Sequence, residues 1–244
     1  FGYLKSSSNA AFRILSPEHA AGMVREAIRV ATTVPKGPVS IEIPIDVQAT
    51  MIELPAELAY VGALQMPEAP DTAINFVAEQ IKSAKKPILW IGGGCIEASE
   101  EIKKLADMGI PVVSSTHARG VLADSHPRSL NAFHNSSEVE KLITDSDACI
   151  VVGSRLRSNE TKTYSLKFPE NLIQIDASPM AQQRNYLVKH FFCGEAKSFL
   201  TRLVEQLGDT SKVDRDYDQR IKAAKDFAIN ALETQLGPYA ELCY

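Results

Sequence analysis

The sequence predicts an α/β protein: a doubly wound, mostly parallel, Rossmann-like sheet, preceded by a helix and a strand that form the remnant of another α/β unit. Three observations predict it. The runs PILWI and ACIVV are apolar at every position and LIQID at three of five, as strands covered on both faces largely are. Segments with helical periodicity alternate with these runs. A Gly92-Gly93-Gly94 turn follows the first run, where such sheets pass from strand to helix.

The first element is the segment SPEHAAGMVREAIRVATT, with Ser16 as N-cap, Pro17 at the first helical position and Glu18 in the first turn. Ala20, Met23, Val24, Ala27, Ile28 and Ala31 then recur at helical spacing. In PVSIEIPIDV, Val39, Ile41, Ile43 and Ile45 alternate with Ser40, Glu42 and Pro44, so a strand is expected with its end or an edge at Pro44. Residues 1–48 are one unit, and the proline-broken stretch 49–70 is a linker.

The central unit, residues 71–207, begins with the helix DTAINFVAEQIKSA and the strand PILWIGG. It continues with the helix IEASEEIKKLADM, the strand PVVSS, the helix SSEVEKLITDS, the strands ACIVVGS and LIQIDAS, a short strand near HFFCG and the helix EAKSFLTRLVEQL. Its crossovers are expected to be right-handed. Residues 208–244 turn polar and then helical, through IKAAKDFAINALETQL, and are read as a connector whose charges are solvated.

With 244 residues and a net charge of −4, the chain fits one large domain or two small ones and has no electrostatic attraction for nucleic acid. No apolar run reaches the ~20 residues that span a bilayer, and no basic-then-apolar signal opens the chain, so membrane insertion is set aside and the reading is cytoplasmic. The four cysteines, Cys95, Cys149, Cys193 and Cys243, have neither disulfide-framework nor zinc spacing and are read as small core residues. The chain opens on Phe1 and closes in GPYAELCY, which reads as a piece of something longer.

The Gly-rich turn departs from a dinucleotide fingerprint twice. The third glycine position holds Glu97, and the second strand ends in Ser114, Ser115 and Thr116 rather than in an acidic residue. Two alternatives stay open: an anion docks on the N–H groups of Gly92 to Cys95, or the glycines only serve a tight reversal. Gly153-Ser154-Arg155 and Asp176-Ala177-Ser178 end two further strands on the same side of the sheet. Asp176 there suits ribose hydroxyls and Arg155 a phosphate, or else the first caps a turn and the second is a surface charge. His117, His126 and His134 have no metal-site spacing and are read as solvated loop residues.

The order of GPVSIEIPIDV, the broken linker, KPILWIGGG, PVVSSTHARGVLADSHP, DACIVVGSRL and LIQIDASP resembles thiamine diphosphate-dependent enzymes of the acetolactate synthase, benzoylformate decarboxylase and oxalyl-CoA decarboxylase superfamily. The resemblance runs from about Phe12 to Leu207. It implies that residues 1–48 close a pyrimidine-binding domain, that 71–207 form the central domain, and that 208–244 lead toward a diphosphate-binding domain. It implies a parent lyase or transferase that uses thiamine diphosphate and Mg²⁺ on a 2-oxo acid or its thioester, as a homodimer or homotetramer. The ylide chemistry is the cofactor's own.

The family's catalytic glutamate lies earlier in the first domain, and its G-D-G metal motif lies in the third. No G-D-G occurs here, where Gly208-Asp209 is followed by Thr210, so no catalytic residue and no metal ligand is assigned to this chain. The resemblance carries nucleotide contacts to Gly92, Gly93, Gly94, Thr116, His117, Gly153, Ser154, Arg155, Asp176 and Ala177. The ligand implied is ADP or FAD. FAD-binding members carry glycines after the HP motif, whereas here Leu130-Asn131-Ala132-Phe133-His134-Asn135 stands, and this departure argues against FAD. A free-standing nucleotide-binding module and a ligand-free scaffold or dimerisation domain remain the alternatives.

Overall fold

The computed structural model describes residues 1–53, 68–208 and 215–243. The chain forms two compact units, Phe1–Met66 and Pro67–Tyr244.

The first unit contains α1 (Gly2–Ser6), β1 (Ala10–Arg13), α2 (Ala20–Thr32), β2 (Val39–Glu42) and α3 (Ile45–Gln48). β1 was not expected, because four residues, AAFR, give no readable alternation. It pairs in parallel with β2, Ala10 opposite Val39 and Arg13 opposite Glu42. That last pair is also joined through side chains, Arg13 Nε donating to Glu42 Oε2 at 3.0 Å. The expectation of a lone strand is thereby corrected. β2 stops two residues before Pro44, which lacks the N–H a ladder needs and leads into α3. Ser16 does not cap α2. A 3₁₀ turn over Pro17–His19 intervenes, and the Ser16 hydroxyl donates to the Glu18 carboxylate instead.

The second unit contains α4 (Asp71–Ser83), β3 (Pro87–Ile91), α5 (Ser99–Asp107), β4 (Val112–Ser114), α6 (Ser137–Thr144), β5 (Ala148–Val152), β6 (Leu172–Asp176), β7 (His190–Cys193), α7 (Ala196–Leu207) and α8 (Arg215–Leu236). Five strands make one parallel sheet in the order β4-β3-β5-β6-β7. Both faces are covered, which is why PILWI and ACIVV are apolar at every position, while β6 carries Gln174 and Asp176 among its apolar residues. Leu89, Ile91, Ile150, Val152, Ile173 and Ile175 join the core formed with α4, α5 and α7. Ile88, Trp90, Cys149, Val151 and Leu172 join a second core with α6 and α8.

α8 is not solvated all round, contrary to what its charges lead one to expect. Tyr217, Ile221, Ala224 and Ala228 are buried in the second core, and the Tyr217 hydroxyl donates to Pro87 O at 3.1 Å. The charges between these positions concealed an apolar stripe at helical spacing, half of it alanine. Within the linker, residues 54–67 lie outside the described residues, as do 209–214 before α8. Cys95 and Cys149 are buried thiols, in agreement with their reading as core residues. Among the described residues no helix is long and apolar enough to cross a membrane.

Candidate functional site

The strand order places the first strand of the second unit, β3, between the second, β4, and the third, β5. Successive connections therefore leave β3 in opposite directions, which makes the carboxyl ends of β3 and β5 the switch point beyond which sheets of this kind bind ligands. The Gly92–Gly94 turn and Gly153 occupy that point.

These glycines pack on one another. A Cβ added to Gly92 would stand 2.2 Å from Gly153 O and 2.5 Å from Ser154 Cα, and one added to Gly94 would stand 2.9 Å from Gly153 Cα. Gly153 itself has φ +60°, in the left-handed region. Gly92 N–H donates to Val152 O at 2.9 Å, Gly94 N–H to Gly153 O at 3.1 Å and Cys95 N–H to Gly92 O at 2.9 Å. Three of the four N–H groups expected to meet an anion are thus engaged with backbone, which leaves Gly93. The residues after the turn form a 3₁₀ turn, Gly93–Cys95, and α5 starts only at Ser99, so the helix-end field expected at the glycines is displaced from them.

Gly93 faces His117, whose Cβ would lie 3.2 Å from a Cβ added at Gly93. Thr116 and His117 stand exposed in a 3₁₀ turn after β4. Ser115 N–H donates to Ile91 O at 2.8 Å and holds that turn against the end of β3. His117 Nδ1 lies 3.8 Å from Oε1 of Glu160, a nearly buried carboxylate that the sequence reading did not single out. Glu160 sits eight positions after the last residue of β5, in a polar run with no periodic signal.

At the β5 end, Ser154 is buried and serves the turn: its hydroxyl accepts from Leu156 N–H at 3.2 Å, and its carbonyl accepts from Gln174 Nε2 at 2.9 Å. The Arg155 carbonyl accepts from Asn185 Nδ2 at 2.6 Å. At the β6 end, Asp176 is 7% exposed, and its Oδ1 accepts from Ser178 N–H at 2.8 Å. Burial pushes the Asp176 carboxyl up from its usual range, opposed by the Ser178 N–H and the charge of Arg155. Ala177, beside it, accepts a weak contact from Cys193 Sγ at 3.7 Å. The Asp176 charge reaches Cys95, whose thiol is pushed up to about 12 by burial first and then, in part, by Glu195 and Asp176. Glu195, also unforeseen, caps α7 by accepting from Lys197 and Ser198 N–H at 2.9 and 2.8 Å.

The histidine reading needs a correction. His134 is 3% exposed and packs on Trp90 with ring centroids 5.5 Å apart. Burial lowers its pKa, against the pull of Glu160 and a hydrogen bond with the Ser114 backbone. Trp90 lies in the β3 end and reaches the segment 130–135 through the second core, which a local reading of that segment cannot foresee. Leu130 is fully buried there as well, so the stretch that would need glycines to approach a flavin is filled by side chains. Among the described residues no group of three or more His, Cys, Asp or Glu could hold a metal ion.

Residues 74–203 match the family described as the central domain of thiamine pyrophosphate enzymes. The acetolactate synthase large subunit of Corynebacterium glutamicum is 28% identical over 260 residues, covering 95% of this chain and 42% of that protein. A probable acetolactate synthase large subunit of Methanocaldococcus jannaschii is 30% identical over 207 residues, covering 80% and 35%. The large subunit of acetolactate synthase isozyme 1 of Escherichia coli is 32% identical over 136 residues, covering 54% and 24%. The chain thus spans less than half the length of these relatives.

Proposed function

Because the chain belongs to the thiamine pyrophosphate enzyme family through its central domain, we propose that it serves a 2-oxo acid decarboxylase or carboligase of acetolactate synthase type, in which it holds an adenine nucleotide and carries out no catalysis by itself. The observation that carries the nucleotide reading is that the ends of β3 and β5, at the switch point, and of the neighbouring β6 lie side by side along one edge of the sheet. Gly93 has an N–H outside the backbone bonds of the turn, Asp176 is a buried carboxylate with one hydrogen bond, and the charge of Arg155 acts on it. A phosphate suits Gly93 and Arg155, and a ribose diol suits Asp176. ADP fits this set, whereas FAD meets the filled segment at Leu130 and His134.

Thiamine diphosphate, when bound, supplies the electron sink for decarboxylation. Among the described residues no group of three or more His, Cys, Asp or Glu stands ready for its Mg²⁺. Residues 1–48 are proposed as the end of the pyrimidine-binding domain, and α8 as the start of the path to the diphosphate-binding domain. Exposed Leu15, Ile45 and Met51 support burial of the first unit against another surface; the parent is read as a cytoplasmic homodimer or homotetramer.

Calorimetric titration of the chain with ADP and with FAD tests the nucleotide reading. Saturable ADP binding without FAD binding is expected. Silence from both at millimolar concentration overturns it and leaves a scaffold domain.

A further inference from the structure

We propose that Glu160 positions His117 to read the terminal phosphate of a nucleoside diphosphate at Gly93, an inference that rests on the nucleotide reading above and adds the residues that select the diphosphate. Glu160 is 3% exposed, in the 3₁₀ turn Ser158–Glu160 beyond β5. A carboxylate so far removed from water is costly unless it is paired. The nearest cation in sequence, Lys162, is committed to Glu140. Among the described residues two imidazoles act on Glu160: His117 at 3.8 Å, and His134, whose ring feels its charge and whose buried Nδ1 has no hydrogen-bond partner.

The backbone holds Glu160 in this position. Lys162, Thr163 and Tyr164 follow with φ 50°, 57° and 64°, three left-handed residues in a row. Such a run is unfavourable and persists only when its surroundings enforce it. Here Thr163 N–H donates to Ser158 O at 2.8 Å and Leu166 N–H to Thr161 O at 3.1 Å, closing the loop on the turn that bears Glu160.

His117 differs from Glu160 in being open to solvent, its side chain 63% exposed. With the Nδ1 edge turned to the carboxylate, Nε2 is the nitrogen left for an incoming group. A carboxylate at ion-pair distance from one imidazole nitrogen biases the ring so that the other faces a ligand, as carboxylates hydrogen-bonded to metal-bound imidazoles do more tightly. Because His117 stands over Gly93, a phosphate oxygen accepting the Gly93 N–H lies beside this ring. The imidazolium form then donates to that phosphate, and the Glu160 charge balances it. A nucleoside held through its ribose at Asp176 gains nothing from His117; only a phosphate chain reaches from β6 across β5 to the end of β3.

The test is a titration series with adenosine, AMP and ADP on the chain and on the variants Glu160→Gln, Glu160→Asp and His117→Gln. Wild type is expected to prefer ADP to AMP. Glu160→Gln and His117→Gln are each expected to weaken ADP by about tenfold while leaving adenosine unchanged, and the double variant to be no weaker than His117→Gln alone. Glu160→Asp, which keeps the charge, is expected to restore part of the preference. A misfolded Glu160→Gln, seen in the Trp90 fluorescence, leaves the exposed His117→Gln to decide the matter. An undiminished ADP preference in His117→Gln overturns the proposal while the nucleotide site stands. Failure of all three ligands on wild type removes the site and the proposal together.

Discussion

Replacing Gly92 by alanine should disrupt the junction of β3 and β5. The added Cβ meets a backbone oxygen at 2.2 Å and a backbone Cα at 2.5 Å, and neither can rotate away as a side-chain tip could. The strand ends must separate by about an ångström to reach ordinary contact. That separation weakens Gly92 N–H to Val152 O and Gly94 N–H to Gly153 O, now 2.9 and 3.1 Å. Overpacking costs about 1–3 kcal/mol and two hydrogen bonds add about 2 kcal/mol, so a loss of about 3–5 kcal/mol is expected, a large part of a typical domain's stability. The single tryptophan, Trp90, lies buried two residues before Gly92 and reports on this junction, so urea unfolding followed by its fluorescence is the assay. Gly93→Ala is the control. Its Cβ would meet a side-chain Cβ at 3.2 Å on an exposed residue, and it should cost under about 1 kcal/mol. Equal midpoints for wild type and Gly92→Ala, or equal losses for the two variants, would refute the reasoning.

Asp176→Asn should stabilise the empty chain at neutral pH and weaken adenosine binding. The carboxyl's folded pKa is raised by burial, so between its unfolded and folded values the native state holds a proton that the unfolded state lacks. Native stability therefore falls as pH rises through that window, and the advantage of Asn should grow across it and then level off in pH-dependent urea melts. Tyr217→Phe removes the hydrogen bond to Pro87 O and should cost about 0.5–1.5 kcal/mol by the same melts; no change would mean that α8 is not held there. With thiamine diphosphate and Mg²⁺ added, the purified chain should release no carbon dioxide from pyruvate, and measurable turnover would sink the reading that the chain by itself carries no catalysis.

The fold was legible where one element's residues sufficed to define it. PILWI and ACIVV are apolar at every position and LIQID at three of five, because both faces of each strand are covered, and that signal is local. β1 and α8 were harder. AAFR is too short to alternate, and the buried stripe of α8 consists of Tyr217, Ile221 and two alanines between charges. At the site, the chemical types at the strand ends were legible, whereas the use made of the glycines was not. A triple glycine states that backbone must come close to something; only the sheet order reveals that the something is Gly153. Glu160 lay deeper still, since its burial depends on a loop closing over it and on His117 arriving from another strand.

A purely structural domain gives no reason for the residues that remain. Gly92, Gly94 and Gly153 are explained by packing, and Ser154 by its turn, so none of them argues for a ligand. Asp176 and Glu160 are different. Each is a carboxylate more than nine-tenths buried at the open end of the sheet. One has a single N–H donor and an arginine for company, and the other an imidazole beyond hydrogen-bond length. A neutral side chain of similar size would serve packing better at both positions, because a buried charge with incomplete hydrogen bonding destabilises the fold that holds it. Local choices that work against stability belong at functional sites. If Asp176→Asn and Glu160→Gln both stabilise the empty chain and both weaken its hold on ADP, the two carboxylates are present for the ligand. If they stabilise it and ADP binding is untouched, the site has another occupant, one that donates hydrogen bonds at both ends.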